Sequence, residues 1–248
     1  MPLSPHTVVV LLSGGLDSSL VLASLVRDGH RVLKALTFDY GQVAAPRERE
    51  AAEAMARHYH VPIQHIQLDW MEALLPGKLN RHAPAQNYAQ LSPGHEASMT
   101  NPDWMAAHNV WVPNRNGVLL NIAAAVAEAI GANAIAFGAN ADEAQGFPDN
   151  TAEYRDALTQ ALWYSTQNHV QILTPMVTTT KAEMVKLALD WDVPLQHVWS
   201  CYGTQAIQCG QCPSCLRLKD ALKQARPGQG ALDASRCPPE IPLGFAVP

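Results

Sequence analysis

The 248-residue chain has no apolar run near the length needed to cross a bilayer. Its first residues, Met-Pro-Leu-Ser-Pro-His, lack the basic start and apolar centre of a signal peptide. A membrane partner is therefore not expected. Cysteine is scarce and unevenly placed: four of the five fall within residues 201–215. That distribution fits a metal site in a reducing compartment rather than a disulfide framework, so a cytoplasmic location is expected. Net charge is −5, which weighs against a large nucleic acid as partner while leaving room for a local basic patch, and no such partner is expected. Tandem repeats, low-complexity tracts and a convincing Cys–His or Ser–His–Asp arrangement are all absent. What remains is an ordinary globular composition, 48% hydrophobic and 16% charged. This length suffices for one large α/β domain, or for one with a small appendage.

The most informative stretch is Thr7–Ser19, TVVVLLSGGLDSS. Thr7 to Leu12 reads as a buried strand, Ser13–Gly15 as a turn, and an apolar helix starts near Asp17 or Ser18. In that order the three place free main-chain N–H groups and the positive end of a helix dipole around one small cavity, which suits a pyrophosphate. Gly14 and Gly15 let the backbone approach an anion without a Cβ in the way, and Ser13, Ser18 and Ser19 add hydroxyl donors. A plain strand-to-helix turn with an Asp or Ser cap is the competing reading, which the flanking strand and helix weigh against. The loop lacks the Gly-Lys-Ser/Thr ending of a Walker motif and the third glycine of a dinucleotide fingerprint. It resembles the loop of the PP-loop ATP pyrophosphatases, which cleave ATP between the α- and β-phosphates and pass AMP to an acceptor.

Apolar runs then alternate with amphipathic stretches. Arg31–Phe38, Val61–Leu68, Asn133–Phe137 and Val170–Leu173 read as further strands. Helices are expected from Pro46 to Ala56, from about Gly117 to Ile130 with Gly131 as terminator, and after Thr180-x-x-Glu183, which has capping-box form. The alternation predicts an α/β fold, a doubly wound parallel sheet covered on both faces. Its ligand crevice would lie beyond the carboxyl ends of the strands, where Ser13–Asp17, Asp39–Gln42 and Gly138–Asp142 fall. Residues 1–198 form this domain, interrupted at 69–110 by an irregular, proline-bearing insertion read as a lid or dimer contact. Residues 199–226 form a small four-cysteine segment with a helix, and 227–248 a Pro/Gly-rich tail.

Cys201, Cys209, Cys212 and Cys215 have the spacing C-x7-C-x2-C-x2-C. Four thiolates can close a tetrahedron around Zn²⁺ with no open position, which makes the site structural. A redox pair or an iron–sulfur cluster is the lesser alternative. Cys237 stands apart.

Among the other polar groups, Asp39 and Gln42 follow a strand and can point into the crevice. Arg115 can clamp a phosphate or carboxylate with its planar fork, and Asn116 can cap the helix that follows. Asp142 and Asp149 can hold Mg²⁺ or ligand amino groups. Lys181 sits in a first helical turn, where the dipole disfavours a cation, so an anion nearby is expected.

Together, Ser13-Gly-Gly-Leu-Asp-Ser, Phe38-Asp-Tyr-Gly-Gln, Val112-Pro-Asn-Arg-Asn, Gly146-Phe-Pro-Asp, Thr174-Pro followed by Lys181, and Ser200-Cys-Tyr ending in Cys-Gly-x-Cys-x-x-Cys resemble the 7-cyano-7-deazaguanine synthases of the queuosine pathway over nearly the whole chain. The resemblance implies an adenine-nucleotide-alpha-hydrolase-like fold, ATP with Mg²⁺, one Zn²⁺ on the four cysteines, and a homodimer. It implies 7-carboxy-7-deazaguanine and ammonia as substrates, joined through an acyl-adenylate and an amide. Ser13, Asp17 and Ser18 would be catalytic. Nucleotide contacts would run through Leu12, Ser13, Gly14, Gly15, Leu16, Asp17, Ser18, Ser19, Leu20, Val21 and Leu22, joined by Asp39, Gln42, Arg115 and Lys181. The Ser200-Cys-Tyr segment and the Gly146–Asp149 turn are the expected readers of the purine edge.

The chain departs from the family pattern at Asn114, where glycine is usual; asparagine is the next best residue at positive φ. It also departs at Asn150 and Thr151, where Cys-Arg is common, and at Val43 and Ala44, where basic residues are common. Rival readings are a sulfur-transferring tRNA-modifying relative, a ligase for another acceptor, and a non-catalytic nucleotide- or zinc-binding module. Net charge and the metal-type spacing of the cysteines count against the first, and the intact loop with its flanking motifs against the last.

Overall fold

The computed structural model describes residues 5–76, 79–82 and 110–225. Five strands form one sheet: β1 (Thr7–Leu11), β2 (Arg31–Asp39), β3 (Ile63–Gln67), β4 (Ala134–Ala136) and β5 (Gln171–Leu173). Their order is β3-β2-β1-β4-β5, and every neighbouring pair is parallel. Parallel strands need crossovers, and six helices supply the cover: α1 (Leu16–Arg27), α2 (Ala45–His58), α3 (Arg115–Ala129), α4 (Ala152–Ser165), α5 (Lys181–Asp190) and α6 (Pro213–Ala225). The expected doubly wound α/β sheet is present.

Side chains alternate across each strand, so β1 feeds two cores. Val8 and Val10 enter a cluster built with Leu20 and Leu25 of α1, Met55 of α2, Met184 of α5 and Leu218 of α6. Val9 enters the opposite cluster with Leu36, Ile135, Leu120 and Ala123 of α3, and Leu162 of α4. The chain winds outward from β1 in one direction to β2 and β3, and in the other to β4 and β5. The strand order therefore reverses between β1 and β4, which is where such sheets open a crevice. Val9 pairs with Ile135 there, and the loops leaving β1 and β4 emerge side by side.

Gly138, just past β4, makes that closeness possible. A Cβ on it would stand 2.9 Å from Asp17 Cβ and 3.0 Å from the backbone N of Ser18. Gly14 has φ +78°, and a Cβ there would meet the backbone N of Ala52 at 2.7 Å, so α2 is packed directly under the first loop.

Element boundaries moved by a residue or two from the sequence reading: α2 begins at Ala45 rather than Pro46, and α3 at Arg115. Asn114 takes φ 51°, the left-handed conformation that asparagine tolerates. The capping box at Thr180 and Glu183 is formed in both directions. Helix α4 was not expected from the sequence. It buries only Leu162 and leaves Trp163 and Tyr164 54% and 83% exposed, so it carries little core-facing periodicity. Of the 69–110 insertion, a 3₁₀ turn over Asp69–Leu74 and a bridge from Asn80 back to Gln42 are seen. The rest of that insertion after residue 82, Cys237 and the 227–248 tail lie outside the described residues.

Candidate functional site

A cleft of about 230 Å³ opens at the carboxyl end of the sheet. Its floor is the first loop. Ser18 Oγ accepts from the Ser13 N–H at 3.2 Å, lies 3.1 Å from Ser13 Oγ, and donates to the Gly15 carbonyl at 3.3 Å. Those bonds make Ser18 the internal brace of the loop. Helix α1 starts immediately after it, and no side chain caps its N-terminus. The N–H groups of its first turn and the positive dipole end thus face a cavity with no protein acceptor supplied by a cap. Ser13, Gly15, Leu16 and Asp17 line the cleft. Ser19 is fully buried and its hydroxyl has no hydrogen-bond partner.

Lys181 closes this end. Its Nζ lies 2.5 Å and 2.6 Å from the two oxygens of Asp17 and 3.7 Å from Glu143. Burial alone would lower the lysine's pKa, but Asp17 and Glu143 outweigh it and hold Lys181 above its ordinary value. The lysine therefore remains a cation. Burial pushes the Asp17 carboxyl up, against the pull of Lys181 and of Asn140. Asn140, fully buried, caps the one-turn helix Ala141–Ala144 through its oxygen and donates to Asp17 at 3.2 Å. Asp142 accepts from the Lys181 backbone N–H at 2.8 Å. The loops after β1, β4 and β5 are thus bonded to one another around Asp17.

The other end centres on Arg115. Burial would lower its pKa, yet the phenol of Tyr40 and the carboxylates of Asp149 and Glu143 raise it. Burial pushes Glu48 up, with Gln42 and Arg115 pulling it back, and pushes Asp149 up in the same way. Trp111 and Phe147 stack near parallel, centroids 6.1 Å apart, on the same wall.

The third wall comes from the cysteine segment. The Trp199 N–H donates to the Gly14 carbonyl at 2.9 Å, and the Trp199 indole N–H donates to the Cys201 carbonyl at 2.9 Å. Ser200, Tyr202, Ser214 and Arg217 reach the cleft from there. Burial pushes the Tyr202 phenol up to about 12. The sulfurs of Cys201, Cys209, Cys212 and Cys215 all lie within 4.8 Å of one another. Backbone N–H groups of Gly203 and Cys209 point at the Cys201 sulfur, and those of Gln211 and Cys212 at the Cys209 sulfur. Four converging sulfurs receiving main-chain N–H bonds fit a tetrahedral cation; this is a metal-binding cluster. The bonds from Cys212 and Cys215 lower the Cys201 thiol and favour its thiolate, the form that ligates a cation.

Most sequence-derived candidates converge here. Ser13, Gly15, Leu16, Asp17, Gln42, Arg115 and Lys181 line the cleft. Gly14 and Ser18 shape the loop from behind. Leu12, Leu20, Val21 and Leu22 sit in the hydrophobic core instead. Asp39 is held away from the cleft: its carboxylate accepts from the Gly41 N–H at 3.0 Å and pairs with Arg81. Gln42 is consumed internally. Its amide nitrogen donates to the Phe38 carbonyl and to Glu48, both at 2.9 Å, and its oxygen accepts from the Tyr40 N–H. Thr151 caps α4. Glu48, Trp111, Glu143 and Arg217 were not singled out from the sequence. Trp111 abuts the Val112-Pro-Asn-Arg-Asn motif, and that adjacency was the only signal for any of them.

Residues 7–226 match the family model described as Queuosine biosynthesis protein QueC. The chain is 41% identical over 221 residues to the 7-cyano-7-deazaguanine synthase of Bdellovibrio bacteriovorus, covering 88% of this chain and 93% of that one. It is 43% identical over 220 residues to the Pelotomaculum thermopropionicum enzyme of the same name, covering 88% and 96%. For the Methanosarcina mazei enzyme the figures are 40% over 218 residues, covering 87% and 93%.

Proposed function

This chain belongs to the QueC family of queuosine biosynthesis proteins, and on that premise we propose how its cleft works. The chain is a ligase that uses ATP to convert 7-carboxy-7-deazaguanine and ammonia to 7-cyano-7-deazaguanine. The observation that carries the site assignment is the uncapped start of α1 facing the Lys181–Asp17 pair at the β1/β4 switch.

A carboxylate is a poor electrophile, so it must first gain a leaving group. The substrate carboxylate attacks the α-phosphorus of ATP, and pyrophosphate departs. Negative charge grows on the departing oxygens. The first-turn N–H groups of α1, the Ser13 hydroxyl and the Lys181 cation lie where that charge is received. Asp17 and Glu143 are the carboxylates that would hold Mg²⁺, which would supply charge neutralisation for the phosphates. Asp17 also fixes Lys181, and Ser18 fixes the loop. Ammonia then attacks the acyl carbon and expels AMP, leaving the amide. A second adenylation on the amide oxygen releases another pyrophosphate, and loss of AMP and of both amide protons then leaves the nitrile. The protein's share is positioning and the exclusion of water from the acyl-adenylate.

The four cysteines would hold one Zn²⁺, which would fix the segment 199–226 against the ATP domain 1–198; the Trp199–Gly14 bond is the joint that supports this. A cytoplasmic homodimer that binds no nucleic acid belongs to the same reading. It is supported by the grouped reduced cysteines, the net charge of −5 and the exposed Trp163 and Tyr164. No described helix is long and apolar enough to cross a membrane.

The test is direct. Incubated with ATP, Mg²⁺, ammonium and 7-carboxy-7-deazaguanine, the protein should yield the nitrile together with AMP. Nucleotide products of ADP and phosphate, or no nitrile, would refute the assignment.

A further inference from the structure

The cleft takes anions at the loop end, yet it is lined by four carboxylates: Asp17, Glu48, Glu143 and Asp149. Each needs a cation or a set of N–H donors, because a desolvated carboxylate without partners is costly. Asp17 and Glu143 have Lys181. One oxygen of Glu48 takes the Gln42 amide. Asp149 keeps acceptor positions free. It takes a 3.3 Å bond from Asn150 on Oδ1 and one from its own backbone N–H, against roughly four acceptor positions on a carboxylate.

Its surroundings suit a flat ring. Asp149 follows Phe147 by two residues, and Phe147 stacks on Trp111. Burial raises the Asp149 carboxyl, and the nearby Arg115 guanidinium pulls it back toward the ionised form. Asn150 is buried, so the turn that carries the carboxylate is anchored. Enzymes read a base by hydrogen bonds to its Watson–Crick edge combined with aromatic or apolar stacking. A guanine-type edge presents two adjacent donors, the ring N1–H and the 2-amino group, and one carboxylate accepts both. Adenine presents a donor beside an acceptor, whose lone pair a carboxylate repels. A carboxylate here therefore selects the deazaguanine over the adenine of ATP and keeps the two rings in separate ends of the cleft.

We propose that Asp149, buttressed by Asn150 and backed by the Trp111–Phe147 pair, accepts the N1–H and 2-amino donors of the acceptor ring and sets its specificity. This rests on the ligase reading above. The test compares 7-carboxy-7-deazaguanine with the analogue lacking the 2-amino group. The wild type should prefer the parent by about 100-fold in kcat/KM, the size expected when a desolvated hydrogen-bonding group is left unpaired. Asp149→Asn should raise the KM for the deazaguanine by about 100-fold and reduce the preference to under about 5-fold, with the KM for ATP unchanged within about 2-fold. Should that variant fail to fold, Asn150→Ala carries the same test with a loss of preference of about 10-fold. A wild type that treats both compounds alike, a variant that keeps its preference, or a rise in the KM for ATP instead would overturn the assignment of Asp149 while leaving the ligase reading intact. A wild type that makes no nitrile from the parent compound would overturn both.

Discussion

Lys181 and Asp17, 164 residues apart in sequence, meet with both carboxylate oxygens within 2.6 Å of the ammonium nitrogen. The pair joins the first loop of the sheet to the start of α5, at the strand-order reversal. It explains a cation in a helix's first turn, where the dipole disfavours one: the compensating anion is Asp17, with Glu143 behind it.

Lys181→Met should lower kcat by about 10²–10³-fold, since it removes a charge placed for the leaving pyrophosphate. It should also lower Tm, because Asp17 is left buried beside Glu143 with its cation gone. The double variant Asp17→Leu/Lys181→Met should regain much of the lost Tm and none of the activity. Recovery of turnover in the double variant would show that the pair acts only structurally.

Gly138→Ala should destabilise the protein by about 2 kcal/mol and reduce turnover, because the new Cβ meets the backbone of Asp17 and Ser18, which cannot yield. Gly131→Ala is the control. It has φ +74° but open space around it, so it should cost about 1 kcal/mol from backbone conformation alone and leave kcat unchanged. Chemical denaturation and steady-state kinetics on the two variants separate the effects.

Glu48 gives a pH prediction. Burial raises its folded pKa above the ordinary 4.5. Between the unfolded and folded values the native state holds a proton that the unfolded chain has lost, so this group's contribution to stability falls as pH rises through that window. Glu48→Gln keeps an acceptor for Gln42 and removes the charge. The variant should gain Tm relative to wild type at pH 8, with a smaller gain at pH 5. A difference that is independent of pH would show that Glu48 is not desolvated.

Cys212→Ser should bring bound zinc from one equivalent to below half, and Tm and turnover should fall together, because Trp199 couples the cluster to the Gly14 carbonyl. Metal analysis alongside calorimetry checks this. Full activity in a zinc-free, folded variant would separate the cluster from the loop.

The sheet and the first loop were legible because their signals are local: β1 alternates between two cores, and Ser13–Ser18 carries its own turn chemistry. The cysteine spacing was equally local. Gln42 lines the cleft as expected, but its amide is spent on Phe38 and Glu48, and the Asp39 carboxylate is taken by Arg81, partners a sequence does not reveal. Leu20, Val21 and Leu22 follow the loop in sequence, but the helical turn carries them into the core. Helix α4 escaped because its outer aromatics, Trp163 and Tyr164, remain exposed and blur the periodicity. The Thr151 cap was the cue that would have found it.

The central claim is that the main-chain N–H groups at the start of α1 hold the pyrophosphate end of ATP. A crystal structure with α,β-methylene-ATP, which cannot release pyrophosphate, tests it most directly. The account predicts the β- and γ-phosphates over Gly14–Ser18, with Lys181 drawn toward them. Triphosphate bound beside Arg115 and Asp149 instead, or against the cysteine segment with the loop empty, would contradict it.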